Sequence, residues 1–126
     1  MELPPYARLL GLTSEPGDGA PVLVMPFEAE THAGRPDFIH GGAIGGLLEM
    51  AAIVALRHAL DDDDVRIKPV NLSVDYMRGG RTKPTHAQGH VLRLGTRIAN
   101  VDATAWQDDR DKPIAVSRQI FLIARG

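Results

Sequence analysis

The segment GGAIGGLLEMAAIVALRHAL, Gly41 to Leu60, carries the longest periodic pattern in the chain. Ile44, Leu47, Leu48, Ala51, Ala52, Ala55 and Ala59 recur at intervals of three and four residues, so the spacing predicts a long helix with these residues on one face. Arg57 and His58 fall in its last turn, where positive charge complements the helix dipole. The run Asp61 to Asp64 then acts as a polar stop and reads as a solvated turn. Beyond it the rhythm changes. Val70, Leu72, Val74 and Tyr76 alternate with Asn71, Ser73, Asp75 and Met77, the period of a half-buried strand. Further strands are predicted over Thr85 to Leu94, Ile98 to Gln107 and Pro113 to Ile123, separated by short turns.

Upstream, Pro4 and Pro5 introduce a short helix over Tyr6 to Leu10 that Gly11 stops. Glu15 to Ala20 is a loop, Val22 to Phe27 a strand, and Thr31 to Ile39 an irregular segment broken by Gly34 and Pro36. The order of one strand, a long helix and four successive strands implies an α+β fold, with a curved antiparallel β-sheet of five strands wrapped around one long central α-helix. Such a sheet leaves edges with unpaired backbone groups. Pairing copies edge to edge would cover them, so a homodimer or homotetramer is expected.

Composition narrows the function classes. At 126 residues the chain fits one domain, residues 1–126, and 44% hydrophobic with 24% charged residues suits a packed core. A net charge of -2 and a pI near 6.2 give no broad positive field, which argues against nucleic acid or an anionic membrane as partner. There is no cysteine, so disulfide and thiolate chemistry are excluded. The start from Met1 to Leu12 lacks a charged and then apolar leader, and no later stretch reads as a membrane span of ~20 apolar residues. A cytoplasmic protein is expected.

The chemistry concentrates in His40-Gly-Gly-Ala-Ile-Gly-Gly-Leu-Leu-Glu49. At ~100° per residue Glu49 lies close to Gly42 and Gly45 around the helix, with Ile53 and Leu56 continuing that side. Small residues there admit a ligand or another backbone, and the free N–H groups of the first turn favour negative charge. A thioester carbonyl under attack develops such a charge. Backbone donors at Gly41 or Gly42 would stabilise it by roughly 2.7–4 kcal/mol. Glu49 would activate water as a general base, or attack directly to give an anhydride. The plainer reading of the same residues is an exposed glutamate and glycines that only permit close packing. For His40 the plainer role is structural, capping the helix or bonding a loop carbonyl.

His40-Gly-Gly followed by Leu47-Leu-Glu49 resembles the signature of PaaI-type hotdog-fold acyl-CoA thioesterases, in which an acidic residue stands nine positions after the histidine. Val74-Asp-Tyr-Met-Arg78 resembles that family's second strand, and the likeness covers nearly the whole chain. The resemblance implies a hotdog fold and an active site built across a dimer interface. It implies Gly41 as the oxyanion-hole N–H, His40 as a residue holding the thioester, and Glu49 as the catalytic carboxylate. No metal and no cofactor are implied, coenzyme A being part of the substrate.

Two departures stand out. Family members often carry Asn or Gln six residues before the histidine, contacting the attacking water or the substrate, where this chain has Gly34. Some place Ser or Thr one or four residues after the acid, here Met50 and Ile53. His32 is the nearest polar residue to stand in for the missing amide, though its place in a loop predicts an exposed side chain. His86 and His90 share a strand face at ~13 Å, too far apart to chelate one ion.

The expected substrate-binding residues are Gly42 and Ile53 near the thioester and acyl group, with Leu56 and Met77 as further apolar contacts. Arg78 and Arg81, with Lys83 beside Gly79 and Gly80, are expected at the coenzyme A phosphates. Two other readings stay open. A hotdog enoyl-CoA hydratase or dehydratase also uses a histidine and a carboxylate near the central helix, and a non-catalytic acyl-CoA-binding protein would explain the missing partners.

Overall fold

The computed structural model describes residues 2–125. Helix α1, Pro5–Leu9, begins on a proline whose missing N–H costs nothing in a first turn, and Gly11 ends the turn with φ 73°. Strands β1, Thr13–Glu15, and β2, Val22–Met25, form a hairpin. A single turn of helix, α2, Ala29–His32, precedes the central helix α3, Gly41–Leu60. Four strands follow: β3, Arg66–Tyr76; β4, Thr85–Leu94; β5, Ile98–Trp106; and β6, Ala115–Ala124. They join β1 and β2 in one six-stranded sheet, ordered β1-β2-β4-β5-β6-β3, with every pair antiparallel. This is a hotdog fold.

The sheet curls around α3 because its inner positions are small or apolar. On β6, Ala115, Phe121 and Ile123 point inward and are buried, while Arg118, Ile120 and Leu122 point outward. Gly89 marks the contact with the helix: a Cβ there would meet the Ala51 carbonyl oxygen at 2.5 Å and the Ala55 Cβ at 2.6 Å. Only glycine lets the helix lie so close to β4. Leu47, Leu48 and Leu56 are fully buried between α3 and its surroundings, each contributing roughly 1.5–3 kcal/mol.

The structure corrects four expectations. The sheet has six strands and not five, because Thr13–Glu15 pairs with β2 although all three residues are exposed and carry no apolar signal. The segment before α3 is not wholly irregular, since α2 forms where Glu28 caps the Glu30 N–H. His32 is buried, at 1% exposure, and not exposed. Its Nδ1 accepts from the Glu28 N–H at 3.0 Å, which leaves Nε2 to donate to the Leu10 carbonyl at 2.7 Å. Both ring nitrogens are satisfied, so burial costs little and neither is free for a substrate. Finally, α3 is long and apolar enough to cross a membrane, with mean hydropathy 1.5, yet 61% of that stretch is buried as the core helix.

Strand β3 also behaves differently from a half-buried strand. It occupies the sheet edge beyond β6, and α3, which packs mainly on β4 and β5, barely reaches it. In the single chain Val70, Leu72 and Tyr76 are therefore 48%, 38% and 54% exposed. A bulge between Pro69 and Asn71 takes Val70 out of register, so Leu72, Val74 and Tyr76 alone continue the inward row.

Candidate active site

The start of α3 is fixed from two sides. The chain before it folds back through a bridge between Ala33 and Ile39, and the His40 N–H donates to the His32 carbonyl at 2.7 Å. From the other side, the Ile39 N–H donates to the Gly80 carbonyl at 2.8 Å, and Phe38 bridges Arg81. His40 is the N-cap, with φ -60° and ψ 134°, and its Nδ1 accepts from the Gly42 N–H at 2.8 Å. Its carbonyl accepts from Ala43 and Ile44. The Gly41 N–H has no acceptor among the described residues. The donors considered at the helix start thus narrow to Gly41, because the ring of His40 occupies Gly42.

One side of α3 looks toward β3. Gly41 and Gly45 lie under the ring of Tyr76, whose hydroxyl donates to the Gly41 carbonyl at 2.8 Å. Glu49 follows one turn beyond Gly45, half-buried, and its carboxylate has no hydrogen-bond or ion-pair partner among the described residues. Ile53 comes a turn later and, with Arg57, Ile67 and Pro69, lines a groove between the second half of α3 and the beginning of β3. Met50 is buried and so does not share the side of Glu49.

The cationic residues gather near the helix start. Arg35 and Arg81 both place their guanidinium groups against the ring of Phe38, at 4.5 and 4.6 Å. The Arg81 backbone is clasped by the Gln107 side chain, and Lys83 is paired with Asp108. Arg78 and Arg81 are exposed and line a shallow pocket with Gly79 and Lys112. Of the cations expected here, Lys83 is engaged by the Asp108 carboxylate, while Arg78 and Arg81 make no ion pair among the described residues, although Asp108 and Asp109 line the same pocket.

A family model described as Thioesterase superfamily matches residues 37–114, which include His40, Gly41, Glu49, Tyr76 and Arg81. The chain belongs to the thioesterase superfamily. No curated protein matches it significantly. Among solved structures it is similar to a protein of Chromobacterium violaceum, with 36% identity, TM-score 0.76, and coverage of 96% of this chain and 84% of that one. A mutant thioesterase of Pseudomonas aeruginosa shares 25% identity at TM-score 0.81, covering 94% of this chain and 84% of the other. A Bacillus halodurans protein solved with CoA has the same fold at 20% identity and TM-score 0.82, covering 95% and 78%.

Within this superfamily chain the glycine at position 34 is a steric requirement. A Cβ on Gly34 would lie 2.9 Å from both the nitrogen and the Cα of His40. The turn through residues 34–38 is too tight for any side chain there. We expect Gly34→Gln to lower stability by about 1–3 kcal/mol, as overpacking does, without raising any hydrolytic rate. Chemical denaturation beside a rate assay checks this, and a faster, equally stable variant would contradict it.

Sequence reasoning singled out His40, Gly41, Gly42, Glu49 and Ile53, and the structure strings them along one end and side of α3. It missed Tyr76 as a neighbour of the glycines.

Proposed function

We propose that the protein is an acyl-coenzyme A thioesterase that splits a thioester into a free acid and coenzyme A. The observation that carries this reading is the half-buried Glu49 on the same helix side as the Gly41 N–H, neither having a partner among the described residues. The Gly41 N–H holds the thioester oxygen as charge develops on it. Glu49 takes a proton from water, the resulting hydroxide attacks the carbonyl carbon, and the C–S bond breaks to release the thiolate, which is then protonated. In the variant route the Glu49 carboxylate attacks first and water hydrolyses the anhydride. His40 supports the site by capping Gly42, which leaves Gly41 as the donor. Gly42 and Ile53 flank the bound thioester and acyl group.

Geometry argues that one copy does not hold a whole site. Gly41 and Glu49 are eight residues apart on one continuous helix, a rise of ~12 Å, whereas a base must come within ~3 Å of its proton, directly or through one water. A second copy, placed against the open β3 edge with its α3 running the opposite way, brings its Glu49 toward the first copy's Gly41. The same contact covers the exposed Leu72 and Tyr76. The reading is therefore a homodimer with two shared sites, alone or paired into a tetramer.

Arg78 and Arg81 contact the coenzyme A phosphates, as forked cations suit. Replacing both with alanine should raise the Michaelis constant for acyl-CoA and leave the maximal rate nearly unchanged. An unaltered Michaelis constant at low salt would place the phosphates elsewhere.

The test of the function is thiol release against aryl-, short-, medium- and long-chain acyl-CoAs. Release from at least one class supports the reading. Tight acyl-CoA binding without thiol over hours supports a non-catalytic binder, and an absorbance change on enoyl-CoA without thiol supports a hydratase.

A further inference from the structure

The inward row of β3 runs Leu72, Val74, Tyr76 and so ends on a phenol whose one polar atom reaches the start of the central helix. The Tyr76 hydroxyl donates to the Gly41 carbonyl at 2.8 Å, and no other side chain among the described residues hydrogen-bonds to Gly41. A Cβ added at Gly41 would lie 3.5 Å from the ring, and one at Gly45 would lie 3.2 Å from the hydroxyl. The ring therefore stands between the open strand edge and the first turn of α3, and in the single chain it is 54% exposed. A phenylalanine would cover the two glycines equally well. The hydroxyl adds only one solvent-exposed bond to the backbone, which contributes little to stability.

The direction of that bond decides what the hydroxyl can recognise. Its proton is committed to the Gly41 carbonyl, so the oxygen has only lone pairs to offer and takes a donor as its next partner. A thioester carbonyl at the Gly41 N–H is an acceptor and does not qualify. The attacking water qualifies, since it carries two hydrogens and Glu49 takes one of them. With nothing on the other hydrogen, the water would swing about a single bond. The Glu49 carboxylate that crosses the β3 edge from a second copy to reach Gly41 comes alongside the Tyr76 ring, which brings the water and the phenol oxygen together.

We propose that Tyr76 holds the attacking water: its Oη accepts the hydrogen that Glu49 does not take, and so aims the water's lone pair at the carbon of the thioester held at Gly41. This rests on the thioesterase reading with its shared site and deepens it. The water gives one proton to Glu49 and keeps the other, bonded to Tyr76, as its oxygen joins the carbonyl carbon. The tyrosine neither gains nor loses a proton. Its contribution is orientation, the kind of effect in which a small misplacement of a reactant is expensive in rate.

The test is Tyr76→Phe, which keeps the ring over both glycines and removes only the oxygen. On the best acyl-CoA from the thiol-release screen its kcat should fall by roughly ten- to a hundredfold, with KM, melting temperature and oligomer size nearly unchanged. Repeating the assay in hydroxylamine adds a readout that a structural role would not move. Hydroxylamine attacks through its nitrogen without first losing a proton, so hydroxamate formation should fall less than hydrolysis. The ratio of hydroxamate to free acid should then be higher in Tyr76→Phe than in wild type. Equal falls in both products, or a fall that accompanies a lower melting temperature or dissociation, assign the hydroxyl to holding the helix start and overturn the proposal. A raised KM with kcat intact assigns it to an amide N–H of the bound substrate and overturns it too. Unchanged kinetics overturn it while the thioesterase reading stands. A wild type that releases thiol from no acyl-CoA defeats both.

Discussion

Glu49→Gln lowers acyl-CoA turnover by roughly 10²–10⁴-fold, the range that loss of a general base produces. The substitution preserves size and one hydrogen-bonding oxygen, and the native carboxylate has no partner within the described residues whose loss would disturb the fold. Stability and oligomer size should therefore change little. The contrasting expectation for a glutamate that merely meets solvent is an effect within about 0.5 kcal/mol on stability and almost none on rate. Thiol release by wild type and variant on the best acyl-CoA, with circular dichroism as a fold control, distinguishes the two. A folded variant that keeps about half of the wild-type rate or more contradicts the assignment.

The second large effect is expected from Gly41→Pro. Proline suits the first position of a helix, where it removes only an N–H that makes no helical bond. His40 already has the extended conformation that a following proline demands, with φ -60° and ψ 134°. A Cβ at position 41 meets only the Tyr76 ring, at 3.5 Å, an ordinary contact. The variant therefore deletes one candidate oxyanion donor and little else, and kcat should fall by roughly 10²–10³-fold. Gly41→Ala fills the same space but keeps the N–H, so it should retain most of the activity. Equal losses in the two variants would show that bulk, and not the donor, matters at this position.

How much of this was readable from sequence depends on the range of the interactions involved. The central helix and strands β4 to β6 were legible because three-and-four and alternating spacings are local consequences of burying one face. Strand β1 was not, because Thr13, Ser14 and Glu15 are all exposed and only their pairing with β2 makes them a strand. His32 misled because its flanking residues look like a surface loop, while its burial depends on the Leu10 carbonyl 22 residues upstream. For β3 the alternation was legible but its exposure was not, since the edge position follows from the crossover that pairs it with β6.

The candidate site divides in the same way. The interval from His40 to Glu49 is local, and so is the identity of one helix side. Which first-turn N–H is free depends on the His40 ring, which turns onto Gly42. The Tyr76 contact joins residues 35 apart, and the obstruction at Gly34 comes from the backbone of His40 folding over it. No spacing rule reports either one.

The central claim is that Gly41 of one copy works with Glu49 of another, and mixing two inactive variants tests it most directly. Co-expression of Gly41→Pro and Glu49→Gln chains yields mixed dimers in which one site carries both defects and the other carries neither. Random assembly of a two-fold dimer should then restore about a quarter of the wild-type thiol release. If the mixed dimers form but release thiol no faster than the two parents, both groups act within one chain and the shared-site account is wrong.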